Sequence, residues 1–152
     1  KPSNIFVNEV EGIIKLSDFG AAQMVDDAGP NVTGDHLTVG TPHYMSPEQA
    51  RTHRVDRRTD IYALGCVLYE MICGHTPYSG NTALDVIAQH VLSPVPTAAS
   101  PLGPLPLALT RVLRRALSKN PGERHQTARE LIGDLDSATA SVQRTGWRRW
   151  LP

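Results

Sequence analysis

Two oxygen-bearing side chains lie at the ends of a predicted β-hairpin near the start of the chain. Asn4 directly precedes the apolar run at residues 5–7, and Asp18 follows the return strand at residues 13–16. An antiparallel hairpin brings its ends together, so we expect the Asn amide carbonyl and the Asp carboxylate to be neighbours. Both are hard oxygen ligands, suited to Mg²⁺ that carries a polyphosphate. Considered singly, each residue favours a simpler interpretation, as the Asn cap or the Asp cap of a surface turn.

Two neighbours of this pair suit phosphate chemistry. Lys1 lies on the same loop as Asn4, and its point charge can stabilise a transferring phosphoryl group. Gly20 follows Asp18 by two positions and allows the backbone to turn sharply.

The elements that must position these residues are mostly helical. Residues 20–41 have no apolar periodicity and are predicted as one long loop, a feature that is usually functional or mobile in a compact domain. A central, largely buried helix is predicted from Asp60 to Cys73, ended by Gly74. Three further helices are predicted over residues 82–91, 109–117 and 127–136, the last opened by a capping box at 127–130. Five prolines make residues 93–106 an extended connector.

The amino-acid composition bears on which partners, cysteine roles and membrane segments are expected. The chain has 152 residues with 15 basic and 15 acidic side chains, and this balance gives no electrostatic case for a nucleic-acid partner. Cys66 and Cys73 lie two helical turns apart, too far for a disulfide, and are predicted as buried reduced thiols rather than a metal or redox pair. No apolar run is long enough to span a bilayer.

Six motifs together resemble the eukaryotic-type protein kinase family, in the order and spacing of its catalytic domain. The resemblance covers residues 1 to about 136. The runs GTPHYMSPEQ and DIYALG look most like those of bacterial serine/threonine kinases. The resemblance implies an α+β, mostly helical fold: a kinase C-terminal lobe with a short β-hairpin, an activation segment and a helical core. The motifs are KPSN at 1–4, DFG at 18–20, GTPHYMSPE at 40–48, DIYALG at 60–65, GHTPY at 74–78 and NPGERHQTAREL at 120–131.

The resemblance implies a role for each residue of the site. Asn4 and Asp18 would hold Mg²⁺, or Mn²⁺, together with ATP. Lys1 would contact the transferred phosphate, and a lysine here marks serine/threonine rather than tyrosine specificity. Thr41 would line the catalytic cleft and support the acceptor hydroxyl. Phe19 would pack as a switch between active and inactive arrangements.

The same resemblance implies a structural framework around the activation segment. Glu48 would pair with Arg124 and so tie the segment to the helical lobe. Asp60, capping the central helix, would bind backbone amides of the catalytic loop. Thr33 and Thr38 would be the sites of autophosphorylation in this segment.

Parts of a kinase domain would precede Lys1. The catalytic-base Asp belongs two residues before this lysine, and the glycine-rich loop and ATP-anchoring lysine belong to a lobe further upstream. We therefore interpret residues 1–136 as the C-terminal part of a kinase domain, inactive alone, and residues 137–152 as a linker or juxtamembrane tail. The alternative is a catalytically dead kinase-like scaffold that binds protein partners. A chance resemblance in an unrelated helical domain is disfavoured by the order of the motifs.

The partners and the cellular location of the protein are inferred less directly from the sequence. The substrates would be proteins bearing Ser or Thr, and a fragment with an uncovered cleft is expected to be poorly soluble or to form a homodimer. The tail GWRRWLP suits a membrane interface followed by an anchor beyond residue 152, or is a disordered linker that contains Trp. A cytoplasmic location, or the cytoplasmic face of the plasma membrane, is expected.

Overall fold

The computed structural model describes residues 1–18, 42–51, 54–101, 103 and 105–144. Within them the fold is mostly helical with one two-stranded antiparallel sheet, which confirms the predicted class. The long loop predicted over residues 20–41 lies outside the described residues. The elements are β1 (Ile5–Asn8), β2 (Ile13–Leu16), α1 (Pro47–Ala50), α2 (Arg57–Cys73), α3 (Ala83–Leu92), α4 (Leu107–Ala116) and α5 (Ala128–Arg144), with 3₁₀ turns at Pro2–Asn4, Pro42–Tyr44 and Pro121–Glu123.

The predicted hairpin is confirmed. Ile5 pairs with Leu16 at its open end, and Asn8 pairs with Ile13 beside the turn. The Asn8 side-chain oxygen accepts hydrogen bonds from two backbone amides of the turn, and Gly12 closes it with a left-handed φ of 65°. A short polar side chain that bonds the backbone ahead of it is a recurrent way of making such a turn.

The hairpin exposes apolar side chains on both faces. Phe6 is 59% exposed and Ile14 is 68% exposed, and every residue of β2 is open to solvent. A two-stranded sheet has too little area to bury its own side chains, so this surface needs cover from another element.

Helix α2 forms the centre of the helical part. Its Tyr62 and Cys66 are fully buried, and its Gly65 packs so closely on α4 that an added Cβ would lie 3.0 Å from the Cβ of Ala116. Both cysteines are free and buried, as predicted. The main apolar cluster joins α2 to the 93–106 connector and to α4 through Tyr62, Cys66, Tyr69, Cys73, Ala98, Leu113 and Leu117.

The start of α2 differs from the prediction. The helix begins at Arg57, and its N-cap is Asp56, whose Oδ1 accepts the amide of Arg58 at 2.8 Å. Asp60 lies instead in the first turn, exposed, so its predicted capping role is wrong. The cap falls at Asp56 because its extended backbone aims the carboxylate at free amides of the first turn. Gly74, with φ 79°, ends the helix where predicted.

The remaining helices lie where the apolar periodicity places them. Thr82 caps α3, and the Thr127 hydroxyl accepts the amide of Glu130 at the start of α5. The Glu130 carboxylate, however, accepts the amide of Gln126 at 2.6 Å, one residue before the predicted partner in the capping box. Helix α5 continues to Arg144, past the domain boundary predicted at residue 136, and the division itself stays a prediction. Among the described residues, no helix combines the length and apolarity that crossing a bilayer requires.

Candidate active site

The hairpin brings Asn4 and Asp18 together. The Asn4 carbonyl accepts the amide of Ser17 at 2.9 Å, which extends the pairing of β1 and β2 toward the open end. Beyond this bond the Asn4 Nδ2 atom donates to Asp18 Oδ2 at 3.5 Å. The proximity expected from the sequence is therefore confirmed, while the roles of the two side chains stay predictions.

Asp18 has an unusual backbone conformation. Its φ of 63° lies in the left-handed region, which costs a residue with a Cβ free energy and which Asp tolerates better than most. This conformation turns the chain at the end of β2 while leaving the carboxylate beside Asn4 and exposed to solvent. Backbone strain of this kind is typical of functional sites.

The pair fits a magnesium ion. Mg²⁺ is commonly held by one or two protein oxygens, with phosphate and water completing the coordination. Asn4 and Asp18 offer one amide and one carboxylate, and rotation of the Asn4 amide turns its oxygen toward the site that its nitrogen now faces. In the described part of the chain, no group of three or more His, Cys, Asp or Glu residues could hold a metal ion.

The other predicted residues of the cleft are only partly described. Lys1 is exposed, and its carbonyl accepts the amide of Asn4 at 3.0 Å, so it shares the 3₁₀ turn that carries the asparagine. Asp60 is exposed, and its binding of catalytic-loop amides stays a prediction. Five predicted residues lie outside the described ranges: Phe19, Gly20, Thr33, Thr38 and Thr41.

The predicted pair of Glu48 and Arg124 is confirmed. The two Nη atoms of Arg124 donate to the two carboxylate oxygens of Glu48, each at 2.7 Å, and both side chains are buried. Thr59 of α2 donates its hydroxyl to the same carboxylate at 2.8 Å. Burial opposes ionisation of Glu48, but the hydrogen bonds from Arg124, a backbone amide and Thr59 outweigh it and lower the pKa of the carboxyl.

Arg124 is fully buried with every donor used. Besides Glu48, its guanidinium donates to three backbone carbonyls, those of Arg58, Ser118 and Lys119, at 2.7 to 3.2 Å. Its Cζ atom lies 4.8 Å from the ring centroid of Tyr62. Because all five N–H groups are satisfied, the buried charge fixes helix α1, the start of α2 and the α4–α5 connection relative to one another.

A short helix carries Glu48 into this contact. Ser46 caps α1 through a reciprocal pair of bonds with Gln49, and Pro47 occupies the first helical position. Both features favour a helix start at this point, so they orient Glu48 toward the core.

Several buried or half-buried polar residues near this pair were not predicted from the sequence. His90 of α3 is fully buried, with its Nδ1 atom 2.8 Å from the hydroxyl of Tyr62. The hydroxyl of Tyr44 donates to the carboxylate of Glu70 at 2.5 Å. Burial, and to a smaller extent the neighbouring Glu70 carboxylate, raises the pKa of the Tyr44 hydroxyl. Glu70 is the only charged residue between positions 61 and 73, and this was the one sequence signal for its contact.

Comparison with known proteins agrees with this geometry. The family model for the protein kinase domain matches residues 1–134. The chain is 44% identical over 136 residues to the serine/threonine-protein kinase PknB of Mycobacterium tuberculosis, covering 89% of this chain and 21% of that protein. It is 41% identical over 137 residues to a probable PknB of Bifidobacterium longum, covering 89% of this chain and 19% of that protein. The chain thus spans about one fifth of the length of these relatives.

Proposed function

Because this chain belongs to the protein kinase family and is of the bacterial serine/threonine type, we propose that it forms the C-terminal lobe of an enzyme that phosphorylates proteins on Ser and Thr. The observation that carries the proposal is the meeting of Asn4 and Asp18 at the end of the hairpin. Protein kinases use ATP and Mg²⁺.

Asn4 and Asp18 would hold the metal on the open side of the hairpin. Magnesium neutralises charge on the β- and γ-phosphates and orients them when it is bound. Asp18 is exposed and Asn4 is half-buried at the open end of the hairpin, away from the helical core, so a nucleotide would reach them without rearrangement of that core. The left-handed backbone of Asp18 sets the direction of its carboxylate before any ligand arrives, which lowers the cost of ordering the site.

Lys1 and Thr41 would act on the transferred group and on the acceptor. The Lys1 charge would stabilise the γ-phosphoryl group as negative charge spreads over its oxygens. Thr41 would support the acceptor hydroxyl. Thr33 and Thr38 would be phosphorylated within the segment from Gly20 to Thr41, where Phe19 would serve as a switch, and the added charge would pair with arginine.

We propose that the 152 residues alone do not transfer phosphate at a useful rate. By resemblance, the base that orients the acceptor hydroxyl and the lobe that covers the adenine precede Lys1. The buried pair of Glu48 and Arg124 supports a positioning role for this part, since it fixes the activation-segment end on the helices. The exposed apolar side chains of the hairpin, including Phe6 and Ile14 on its two faces, would be covered by the upstream lobe or, in its absence, by a second copy.

The remaining proposals concern the setting of the enzyme. Protein substrates with Ser or Thr and no nucleic acid are proposed, in a cytoplasmic location. Attachment to the cytoplasmic face of the plasma membrane would come through sequence beyond residue 152. The interface interpretation of the Trp- and Arg-containing end concerns residues outside the described ranges.

Labelling with radioactive ATP tests the proposal. We expect no incorporation when the chain is incubated with magnesium or manganese and a generic basic protein. Joining it to the upstream half of a bacterial serine/threonine kinase domain should restore labelling, and Asp18→Ala should then abolish it. Label on the isolated chain that disappears in Asp18→Ala would disprove its inactivity. A joined protein that folds but never labels any substrate would favour the dead scaffold.

A further inference from the structure

A second, half-buried cationic residue is bonded through its backbone to Arg124. Lys119 is half-buried on the connection between α4 and α5, and its Nζ atom donates to the carbonyl of His90 and to the hydroxyl of Tyr78, both at 2.7 Å. The carbonyl of Gln89 accepts a third, longer bond of 3.3 Å. An ammonium has three N–H groups, so these three acceptors satisfy it.

The two carbonyls belong to the last turn of α3. The last four carbonyl groups of a helix have no partner amide within the helix, and a cation placed there is favourable. Of the two carbonyls, that of Gln89 also accepts the amide of Ser93, the residue that ends α3, at 3.0 Å. Lys119 therefore acts as a C-terminal cap from a distant part of the chain. It also holds the Tyr78 ring, whose centroid lies 4.3 Å from Nζ, against the same helix end.

The backbone of Lys119 is itself held by Arg124. The Lys119 carbonyl accepts from Arg124 Nη2 at 3.2 Å, and the preceding carbonyl, that of Ser118, accepts from Nε at 2.7 Å. The guanidinium that binds Glu48 thus also fixes the segment from which the ammonium extends. Contacts run without a gap from α1 through Glu48, Arg124 and Lys119 to α3.

Helix α3 in turn supports the end of the activation segment. It packs against both α1 and the turn Pro42–Tyr44. Arg51, just after α1, donates to the carbonyl of Val91 at 3.3 Å, and His90 contacts the hydroxyl of Tyr62 beneath Arg124. Helix α3 is therefore linked to α1 both directly and through Lys119, Arg124 and Glu48.

We propose that Lys119 is a positioning residue that couples α3 to the Glu48–Arg124 pair, so that α3 and residues 42–50 are held as one unit. The effect of this coupling on phosphoryl transfer rests on the proposed function. The coupling itself does not, because it is a property of the fold and is measurable without ATP.

Hydrogen–deuterium exchange on the 152-residue chain tests the coupling. Lys119→Met keeps the length of the side chain and removes its charge and donors. Since a hydrogen bond from a charged group contributes about 1.5–3 kcal/mol, we expect exchange in the last turn of α3 to become about tenfold faster or more. The amides of Ala50 and Arg51, which bond to the carbonyls of Ser46 and Pro47, should also exchange faster.

Three comparisons separate coupling from a general loss of stability. Exchange in α5 should not change in Lys119→Met. Arg129→Met, which removes an exposed cation on α5, should leave α3 and α1 unchanged. Lys119→Arg restores a charged donor and should recover most of the protection in both helices.

Two results would overturn the proposal. One is unchanged exchange at Ala50 and Arg51 in Lys119→Met, and the other is equal acceleration throughout α3, α4 and α5. If circular dichroism shows that Lys119→Met does not fold, Tyr78→Phe replaces it, because it removes one acceptor of the ammonium and leaves the charge. Faster exchange in both α3 and α1 of Tyr78→Phe supports the coupling, and no change in α1 refutes it.

Discussion

Replacing Glu48 with Gln should destabilise the helical part of the chain far more than its small change in volume would suggest. The substitution leaves the side chain in place but removes the charge that faces Arg124, which is fully buried. Three backbone carbonyls would still bind the guanidinium, yet none carries a full negative charge. The fold would therefore hold a buried cation without its counter-charge.

The size of the effect follows from this burial. Removing one partner of a buried ion pair costs about 3–5 kcal/mol, mainly because the other charge stays desolvated. For a domain of this size 1 kcal/mol lowers Tm by roughly 2–4 °C, so a fall of about 10 °C or more is expected.

Lowering the pH should also destabilise the wild-type protein. The lowered pKa of Glu48 means that its stabilisation is present above the unfolded pKa of 4.5 and is lost as the pH falls through the folded value.

Urea and thermal unfolding followed by circular dichroism measure the effect. Asp56→Asn is the matched control, because Asn also caps helices and the Asp56–Arg58 ion pair is exposed to solvent, which screens it. The double variant Glu48→Leu with Arg124→Met should lose less than the sum of the single variants, since it leaves no charge unpaired. A Glu48→Gln variant as stable as Asp56→Asn would show that water reaches Arg124, and the reasoning would fail.

Three other substitutions and one thiol-labelling experiment test separate parts of the fold. Gly65→Ala should destabilise by about 1–3 kcal/mol in thermal unfolding because its Cβ meets Ala116 at 3.0 Å, whereas Gly133→Ala, with nothing within 4 Å, should stabilise by about 0.5–1 kcal/mol. Burial lowers the pKa of His90 from 6.5 to about 4, so the unfolded chain binds a proton in that window while the folded chain does not, and stability should fall as the pH falls through it. His90→Asn should lack this dependence, and equal slopes for both proteins would contradict the assignment. Burial raises the pKa of Cys66 to about 12, so iodoacetamide should label this thiol slowly in the native chain and rapidly in urea.

The hairpin and the site that it builds were predictable because local pattern determines both. Two short apolar runs on either side of a polar turn set the strands, and the strand ends then place Asn4 beside Asp18 without help from distant residues. The pairing of Glu48 with Arg124 is different, because 76 positions separate them and only the resemblance to kinases connected the two. No local pattern carries such a contact.

The helix ends were less predictable because several residues can serve as caps. The run VDRRTD contains two Asp residues four positions apart, and the choice of Asp56 over Asp60 depends on the backbone conformation before α2. Helix α5 continues past its apolar pattern, and in this extension Ser137 and Thr139 donate their hydroxyls to carbonyls of the preceding turn. Lys119 gave no signal, since its acceptors are backbone carbonyls of another helix.

The separation of Glu48 from Arg124 has a consequence for the order in which the nascent chain acquires structure on the ribosome. The hairpin needs only neighbouring residues and can pair as soon as it leaves the exit tunnel. Helix α1 emerges next, yet its carboxylate has no arginine to bind until 76 more residues have been added, an interval of roughly 4–15 s at common rates of synthesis. During that interval the carboxylate must stay hydrated. The rate of translation over α2 to α4 therefore determines how long Glu48 stays without its partner Arg124.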